Sequence, residues 1–314
     1  MTRIPFSSSP RATMPLARLR GARKHYGATV ALDGIDLDVH AGEVLAVLGA
    51  NGAGKTTALG LLTGRIAPDA GQVELMGGDP RIPALRRGIG VMLQDTSLPD
   101  TLRVDEHIRL FSSYYPRPRP LAETLALAGI ADLAKRNYGE LSGGQQRRVQ
   151  FALAICGRAP LIFVDEPSTG LDVEARHNLW QVLRQLRSEG TGIVLTTHYL
   201  EEADALAERV VLLAGGRVLA EDTPTGIKAR AAGKRVRARS QLTLEQIAAW
   251  PEADAVDVTD AIIEVRSRTP EALLRRWLAH DPHLIDLEVR PLSLEEAFLS
   301  LTAHARKNIE ELAA

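Results

Sequence analysis

One cysteine, Cys156, is present among 314 residues, so an intramolecular disulfide and a cysteine-based zinc cluster are both excluded. That scarcity fits a reducing compartment. No apolar stretch approaches the ~18 residues of a membrane-spanning helix, and the chain is not expected to cross a bilayer. The N-terminus lacks the apolar core of a secretory signal: Phe6-Ser7-Ser8-Ser9-Pro10 is polar and proline-punctuated, and residues 1–14 are expected to be a disordered extension. Neither sign of charge is in excess. With 38 basic and 39 acidic residues the formal charge is −1, which removes a global basic field for nucleic acid and an acidic solvating tail. There is no internal repeat, and the histidines show no metal-ligand spacing.

What is present is ordinary globular composition, 45% hydrophobic and 25% charged, at a length that suits about two domains of roughly 150 residues. Charge is nevertheless uneven. Residues 1–27 carry Arg3, Arg11, Arg18, Arg20, Arg23 and Lys24 with no acid, and 228–239 carry Lys228, Arg230, Lys234, Arg235, Arg237 and Arg239 with none. Either run could meet anionic lipid or RNA; a solvated strand face is the simpler reading.

Hydrophobic patterning predicts β structure from Leu16, alternation over Val30–Val39, and short apolar strands at Glu43–Leu48, Ile89–Leu93, Leu161–Val164, Ile193–Thr196 and Val210–Leu213. Helical stretches separate most of them, one running from Lys55 to Gly64. Strands alternating with helices imply an α/β fold with a mostly parallel sheet covered on both faces. Between Thr101 and Glu140 the strand signal vanishes, and Pro116, Pro118 and Pro120 break short helices, which predicts a helical insertion. A change of composition around Ala229–Gly233 predicts a boundary, giving domains over 15–228 and 229–314. In the second, strands at Val236–Ser240, Ala255–Val258, Ile262–Val265 and Leu284–Val289 alternate with helices at Leu244–Trp250 and Glu271–Ala279. That order, βαββαβ, predicts a small α+β domain of ferredoxin-like arrangement, followed by a helix over Leu294–Leu301.

The chemistry begins at Gly49-Ala50-Asn51-Gly52-Ala53-Gly54-Lys55-Thr56, a G-x-x-x-x-G-K-[ST] motif between a predicted strand and helix. Small residues let backbone N–H groups wrap the β- and γ-phosphates, the helix N-terminus adds positive potential, Lys55 supplies a point charge, and the Thr56 hydroxyl can ligate Mg²⁺. With Thr57, these are the expected ATP contacts. Such a loop leaves kinases, GTPases, helicases and transport ATPases open. Leu161-Ile162-Phe163-Val164-Asp165-Glu166 narrows the choice: an apolar strand ends in two carboxylates, one placed for the metal and one to polarise a water for attack on the γ-phosphate. Asp165 is therefore expected to hold Mg²⁺ and Glu166 to be the general base.

Between these motifs stands Leu141-Ser142-Gly143-Gly144-Gln145, and with it the chain closely resembles the ATP-binding subunits of ATP-binding-cassette (ABC) transporters over about residues 15–225. A serine hydroxyl and bare glycine N–H groups at a helix start form a second anion site. The resemblance implies a P-loop ATPase domain in which a mostly parallel sheet carries antiparallel β and helical subdomains. It implies that Leu141, Ser142, Gly143, Gly144 and Gln145 of one copy cover the ATP held by the other, hence a dimer with two ATP molecules at its interface. It further implies that Tyr26 stacks on adenine, that Gln94 senses Mg²⁺ and the transported load, that Asp172 lies in the loop passing between protomers, and that His198 contacts the γ-phosphate.

The segment Pro291-Leu292-Ser293-Leu294-Glu295-Glu296-Ala297-Phe298-Leu299 resembles, more loosely, the daunorubicin-resistance subgroup, whose members export drugs, lipids or polysaccharides. The implied protein is an ATPase on the cytoplasmic face of the membrane that drives a separate permease, with no direct nucleic-acid contact expected. Selectivity would lie in the permease. A coupling surface is expected around Gln94–Leu98 and the helical insertion, with Tyr114 and Tyr115 as lining candidates; the C-terminal domain is expected to hold the dimer together or regulate it. The rival reading, an ABC ATPase acting on DNA or ribosomes, is weakened because the segment from Lys55 to Ser142 is too short for a long coiled coil and each motif occurs once.

Overall fold

A computed structural model describes residues 14–94, 96–230 and 233–302. The expected N-terminal extension, apart from Met14, lies outside them, as does part of the predicted boundary. Strands β1 (Ala17–Tyr26), β2 (Thr29–Val39) and β3 (Val44–Leu48) are followed by α1 (Lys55–Leu62), β4 (Ala70–Leu75), the single turn α2 (Pro83–Arg86) and β5 (Ile89–Met92). Helices α3 (Val104–Ser112) and α4 (Leu121–Leu127), with two 3₁₀ turns, occupy the proline-broken region. Next come α5 (Gly143–Ile155), β6 (Leu161–Asp165), α6 (Val173–Ser188), β7 (Gly192–Thr196), α7 (Leu200–Leu206), β8 (Arg209–Ala214), β9 (Arg217–Asp222) and α8 (Pro224–Arg230). The last elements are β10 (Lys234–Arg239), α9 (Leu244–Ala248), β11 (Ala255–Thr259), β12 (Ile262–Ser267), α10 (Pro270–His280), β13 (Ile285–Pro291) and a helix over 294–302.

Contacts divide the chain into two compact units, one running to His198 and taking in Leu206–Val218, the other formed by Tyr199–Ala205 and the chain from Leu219. In the first, β2-β1-β4 form an antiparallel sheet, and the strands β5-β6-β7-β3-β8 lie in that order in a second sheet, its β5/β6, β6/β7, β7/β3 and β3/β8 pairs parallel. Every residue of β3, β6 and β7 is buried, which is why these strands are continuous apolar runs in sequence. Successive side chains feed two cores. Leu161 and Phe163 join Leu45, Val47 and the α1 leucines Leu59 and Leu62, whereas Ile162 and Val164 join Phe151, Ile108, Leu125 and Leu183 from the helical side.

In the second unit the strand order is β11-β12-β10-β13, all pairs antiparallel, and the elements run β-α-β-β-α-β. Its core gathers Val236, Ala238, Ile263 and Val265 from the sheet with Ile247, Leu273 and Trp277 from the helices, and the Trp277 indole donates to Ser240 Oγ at 3.0 Å. The basic run is consumed internally: Lys228 pairs with Asp204, Arg230 with Asp222, Lys234 with Glu271, Arg235 and Arg237 with Glu264, and Arg239 with Asp286. In the first unit Arg18 and Arg20 pair with Asp38, Arg23 with Asp33 and Lys24 with Asp69. The described members of both runs are thus ion-paired, on strands β1 and β10 and on helix α8, and Arg3 and Arg11 lie outside the described residues.

Candidate functional site

The phosphate loop leaves β3 at Leu48 and enters α1 at Lys55. Gly54 caps the helix with φ 106°, and a Cβ there would stand 2.5 Å from the Ala31 carbonyl and 2.7 Å from a Leu32 methyl, so glycine is demanded by conformation and by space alike. The first turn of α1 contains no acidic residue, which leaves its positive end available to an anion. Lys55 is buried and folds back over the loop, Nζ donating to Gly49 O at 2.7 Å and Ala50 O at 3.2 Å. Burial pushes its pKa down, and the Glu166 and Asp165 carboxylates oppose that shift. Thr56 is exposed and Thr57 half-buried.

The parallel register brings the acidic motif to the same edge of the sheet. Thr196 of β7 is paired on one side with Val47, just before the loop, and on the other with Asp165 at the end of β6. Asp165 is 3% exposed, and the Thr196 hydroxyl donates to its carboxylate. Burial raises the Asp165 pKa, Thr196 and the cations Arg147 and Lys55 acting against the rise and Glu166 with it. Glu166 takes a left-handed φ of 50°, costly outside glycine, and is pinned by its N–H to Thr196 O at 2.9 Å. His198, two residues beyond β7, lies with Nδ1 2.9 Å from Glu166 Oε2, and Thr169 Oγ1 is 3.3 Å from the same oxygen. An ionised carboxylate only accepts, so the histidine Nδ1 carries the proton of that bond.

The Leu141–Gln145 element opens α5. Ser142 is the N-cap, its Oγ accepting from Gln145 N while Gln145 Oε1 accepts from Ser142 N, a reciprocal capping box. A side chain on Gly144 would stand 2.9 Å from the Gly170 carbonyl, so the element packs against the loop that Asp172 closes by capping α6 through Ala175 N at 2.8 Å. Gln94 is exposed just past β5. Tyr26 is 51% exposed at the end of β1, with Lys24 Nζ 5.8 Å from its ring centre. Both tyrosines of the insertion line one groove with Pro83, Arg86 and Phe111: Tyr114 is exposed, whereas Tyr115 is half-buried, its hydroxyl donating to Ile89 O at 3.0 Å and burial pushing its pKa up to about 12. Cys156 lies in the core.

Thr196 and Arg147 belong to this site and were not singled out from sequence. Thr196 is one of two consecutive threonines, both buried, and is set apart by its register beside Asp165; Arg147 is one of two consecutive arginines, set apart by burial. Arg148 reaches Gly129 O at the surface, while Arg147 is 8% exposed and faces inward.

A G-x-x-x-x-G-K-[ST] loop and two carboxylates at the C-terminal edge of a parallel sheet define a P-loop nucleoside triphosphatase fold. The chain belongs to the ATP-binding subunits of ABC transporters. Residues 32–169 match the family model described as "ABC transporter". The daunorubicin resistance ATP-binding protein DrrA3 of Streptomyces coeruleorubidus is 36% identical over 303 residues, covering 91% of this chain and 96% of that protein. The Nod factor export ATP-binding protein I of Cupriavidus pinatubonensis is 34% identical, covering 95% of this chain and 94% of that one. Such alignments leave too few residues over to omit the second unit. Among solved structures, an ATP-binding subunit of an ABC transporter matches with TM-score 0.65 at 28% identity, covering 68% of this chain and 92% of that chain. The dimeric cassette MJ0796 in a post-hydrolysis state bound to ADP and Pi matches with TM-score 0.61 at 27% identity, over 66% of this chain and 98% of that chain. The protein is an ABC ATPase, and the rival reading on DNA or ribosomes gains no support. No helix among the described residues is long and apolar enough to cross a membrane.

Proposed function

We propose that this chain energises an exporter, and that the residues above divide the work of ATP hydrolysis between two copies. The observation that carries the proposal is the contact of Glu166 with His198 at 2.9 Å, on the sheet edge that also ends in the phosphate loop. Gly49–Thr57 wrap the phosphates, with Lys55 swinging from the carbonyls of Gly49 and Ala50 to phosphate oxygens. Glu166 accepts a proton from the attacking water, and His198 holds that carboxylate and contacts the γ-phosphate. Tyr26 stacks on the adenine. Leu141–Gln145 of the second copy completes the site across the interface, and Asp172 lies in the loop between them.

No cluster of three histidine, cysteine or acidic side chains among the described residues is placed to hold a metal by itself. The oxygens of Thr56, Gln94 and Asp165 suit Mg²⁺, which keeps water and substrate phosphates among its ligands and would neutralise charge on the phosphate oxygens.

The partner is a separate membrane permease, met at the groove lined by Tyr114 and Tyr115 and at the Gln94–Leu98 loop, of which Asp95 lies outside the described residues; the ATPase sits against the cytoplasmic face. The cargo is a drug, lipid or other hydrophobic or polymeric molecule, a reading supported by relatives named for daunorubicin resistance and for Nod factor export. The ATPase domain spans 15–228 and the accessory domain 229–314, the latter supporting or regulating the dimer. Affinity purification of Glu166→Gln from detergent-solubilised host membranes tests this reading. A stoichiometric multi-span protein is the expected partner; ribosomal or DNA-bound partners would refute it.

A further inference from the structure

Arg147 lies within the second turn of α5, the helix whose start is the Leu141–Gln145 element, and its guanidinium is buried. Nη2 donates to the backbone oxygens of Asp165 and Glu166, the latter at 2.7 Å. Nη1 donates to Leu93 O at 2.8 Å, Gln94 O at 3.1 Å and Gln150 Oε1 at 2.9 Å. One side chain therefore ties together three segments remote in sequence: the helix that would reach the partner copy's nucleotide, the peptide groups of both acidic residues, and the loop that carries Gln94.

Resting on the reading above, we propose that Arg147 is a positioning residue for hydrolysis: by clamping these four carbonyls it sets Glu166 and Gln94 against the phosphate loop and makes their placement follow that of α5. The chemistry fits this task better than a packing role. Holding carbonyls on two separate segments needs a planar, permanently charged donor with several N–H groups, whereas an ammonium is a compact point donor. Glu166 is held at φ 50°, a conformation its own chain does not favour, by the Thr196 contact on its N–H and the Arg147 contact on its carbonyl. Without the second contact the peptide is free to relax, and the carboxylate leaves its place beside His198. The capping box at Ser142 and Gln145 makes the first turn of α5 rigid, so a shift of this element when it engages nucleotide moves Arg147 with it.

Full-length wild type, Arg147→Lys and Arg147→Ala are compared for ATPase kcat and KM, fluorescent-ATP affinity and melting temperature. Misplacing a reacting group by about 1 Å costs on the order of 100-fold, so Arg147→Ala is expected to lose about that in kcat while KM for ATP stays within about twofold. Arg147→Lys falls between, and millimolar guanidinium ion restores part of the Arg147→Ala rate without accelerating wild type. The proposal is overturned if kcat of Arg147→Ala stays within about threefold of wild type, or if KM and kcat fail together and guanidinium restores neither. Should Arg147→Ala not fold, Arg147→Lys decides: reduced kcat at constant KM supports the clamp, and unchanged kcat overturns it. Absence of phosphate release by wild type would refute the hydrolysis reading itself, a failure distinct from any of these.

Discussion

Replacing Glu166 by glutamine separates its chemical role from its structural one. The side chain is 11% exposed and its shape is nearly conserved by the amide, whose Oε1 can still accept from His198 Nδ1 and Thr169 Oγ1. What the fold loses is the charge-assisted share of those bonds, about 1 kcal/mol, before discounting for a His198 side chain that is 47% exposed. That corresponds to at most about 2–4 °C in Tm for a domain of this size. What the reaction loses is the proton acceptor, worth about 10²–10⁴-fold, or roughly 3–5 kcal/mol of transition-state stabilisation. ATP binding should be preserved, because neither the phosphate loop nor Lys55 is touched, and the variant should accumulate as an ATP-bound dimer. Three assays decide the matter together: phosphate release, fluorescent-ATP titration and light scattering with MgATP. A turnover loss below about tenfold, or loss of ATP binding in step with turnover, would refute the assignment of Glu166 as general base.

Lys55→Ala removes a charged donor from the phosphates, and ATP affinity measured by fluorescent-ATP titration should fall by about 10- to 100-fold, in keeping with roughly 1.5–3 kcal/mol for a bond to a charged group; wild-type affinity would contradict the role. Asp165→Asn is expected to abolish turnover yet raise the Tm of the nucleotide-free protein near neutral pH. Burial lifts the native pKa of Asp165 above its unfolded value, so the ionised carboxylate destabilises the fold at high pH. The gain should shrink as pH falls through that raised pKa and vanish below the unfolded one; a Tm difference that grows on acidification would contradict this sign. Trp277→Ala empties the centre of the second unit and removes one of the bonds to Ser240 Oγ, which keeps Asp281 and Leu242 N as partners, at a cost of about 3–5 kcal/mol. Scanning calorimetry should show an earlier transition while fluorescent-ATP affinity persists, and a single unshifted transition would count against a separate second core.

Contiguous features were legible without a structure. The phosphate loop, the acidic end of β6 and the capping serine of α5 each need neighbouring residues of fixed type, because a tight turn, a strand end and a helix start are local conformations. The fully buried strands β3, β6 and β7 were visible for the same reason, as unbroken apolar runs. Strands β4 and β9 were not: β4 is exposed over Ala70–Gln72 and β9 alternates only weakly, so neither carries a clear period. The split between Tyr114 and Tyr115 was equally invisible, since two adjacent tyrosines differ only in what lies over them.

The sequence by itself determined where the glycine-rich loop stands between a strand and a helix and which carboxylates stand at a strand end, because those depend on backbone conformation over a few residues. Only the tertiary structure decided that β7 lies between β3 and β6, setting Thr196 beside Asp165 and His198 against Glu166. It alone showed that the described residues of the basic runs are engaged in ion pairs, and that of two consecutive arginines one reaches the surface while the other holds four carbonyls at the site. Such facts are long-range: they follow from which segments share a core and a register, and no window of the chain contains both partners.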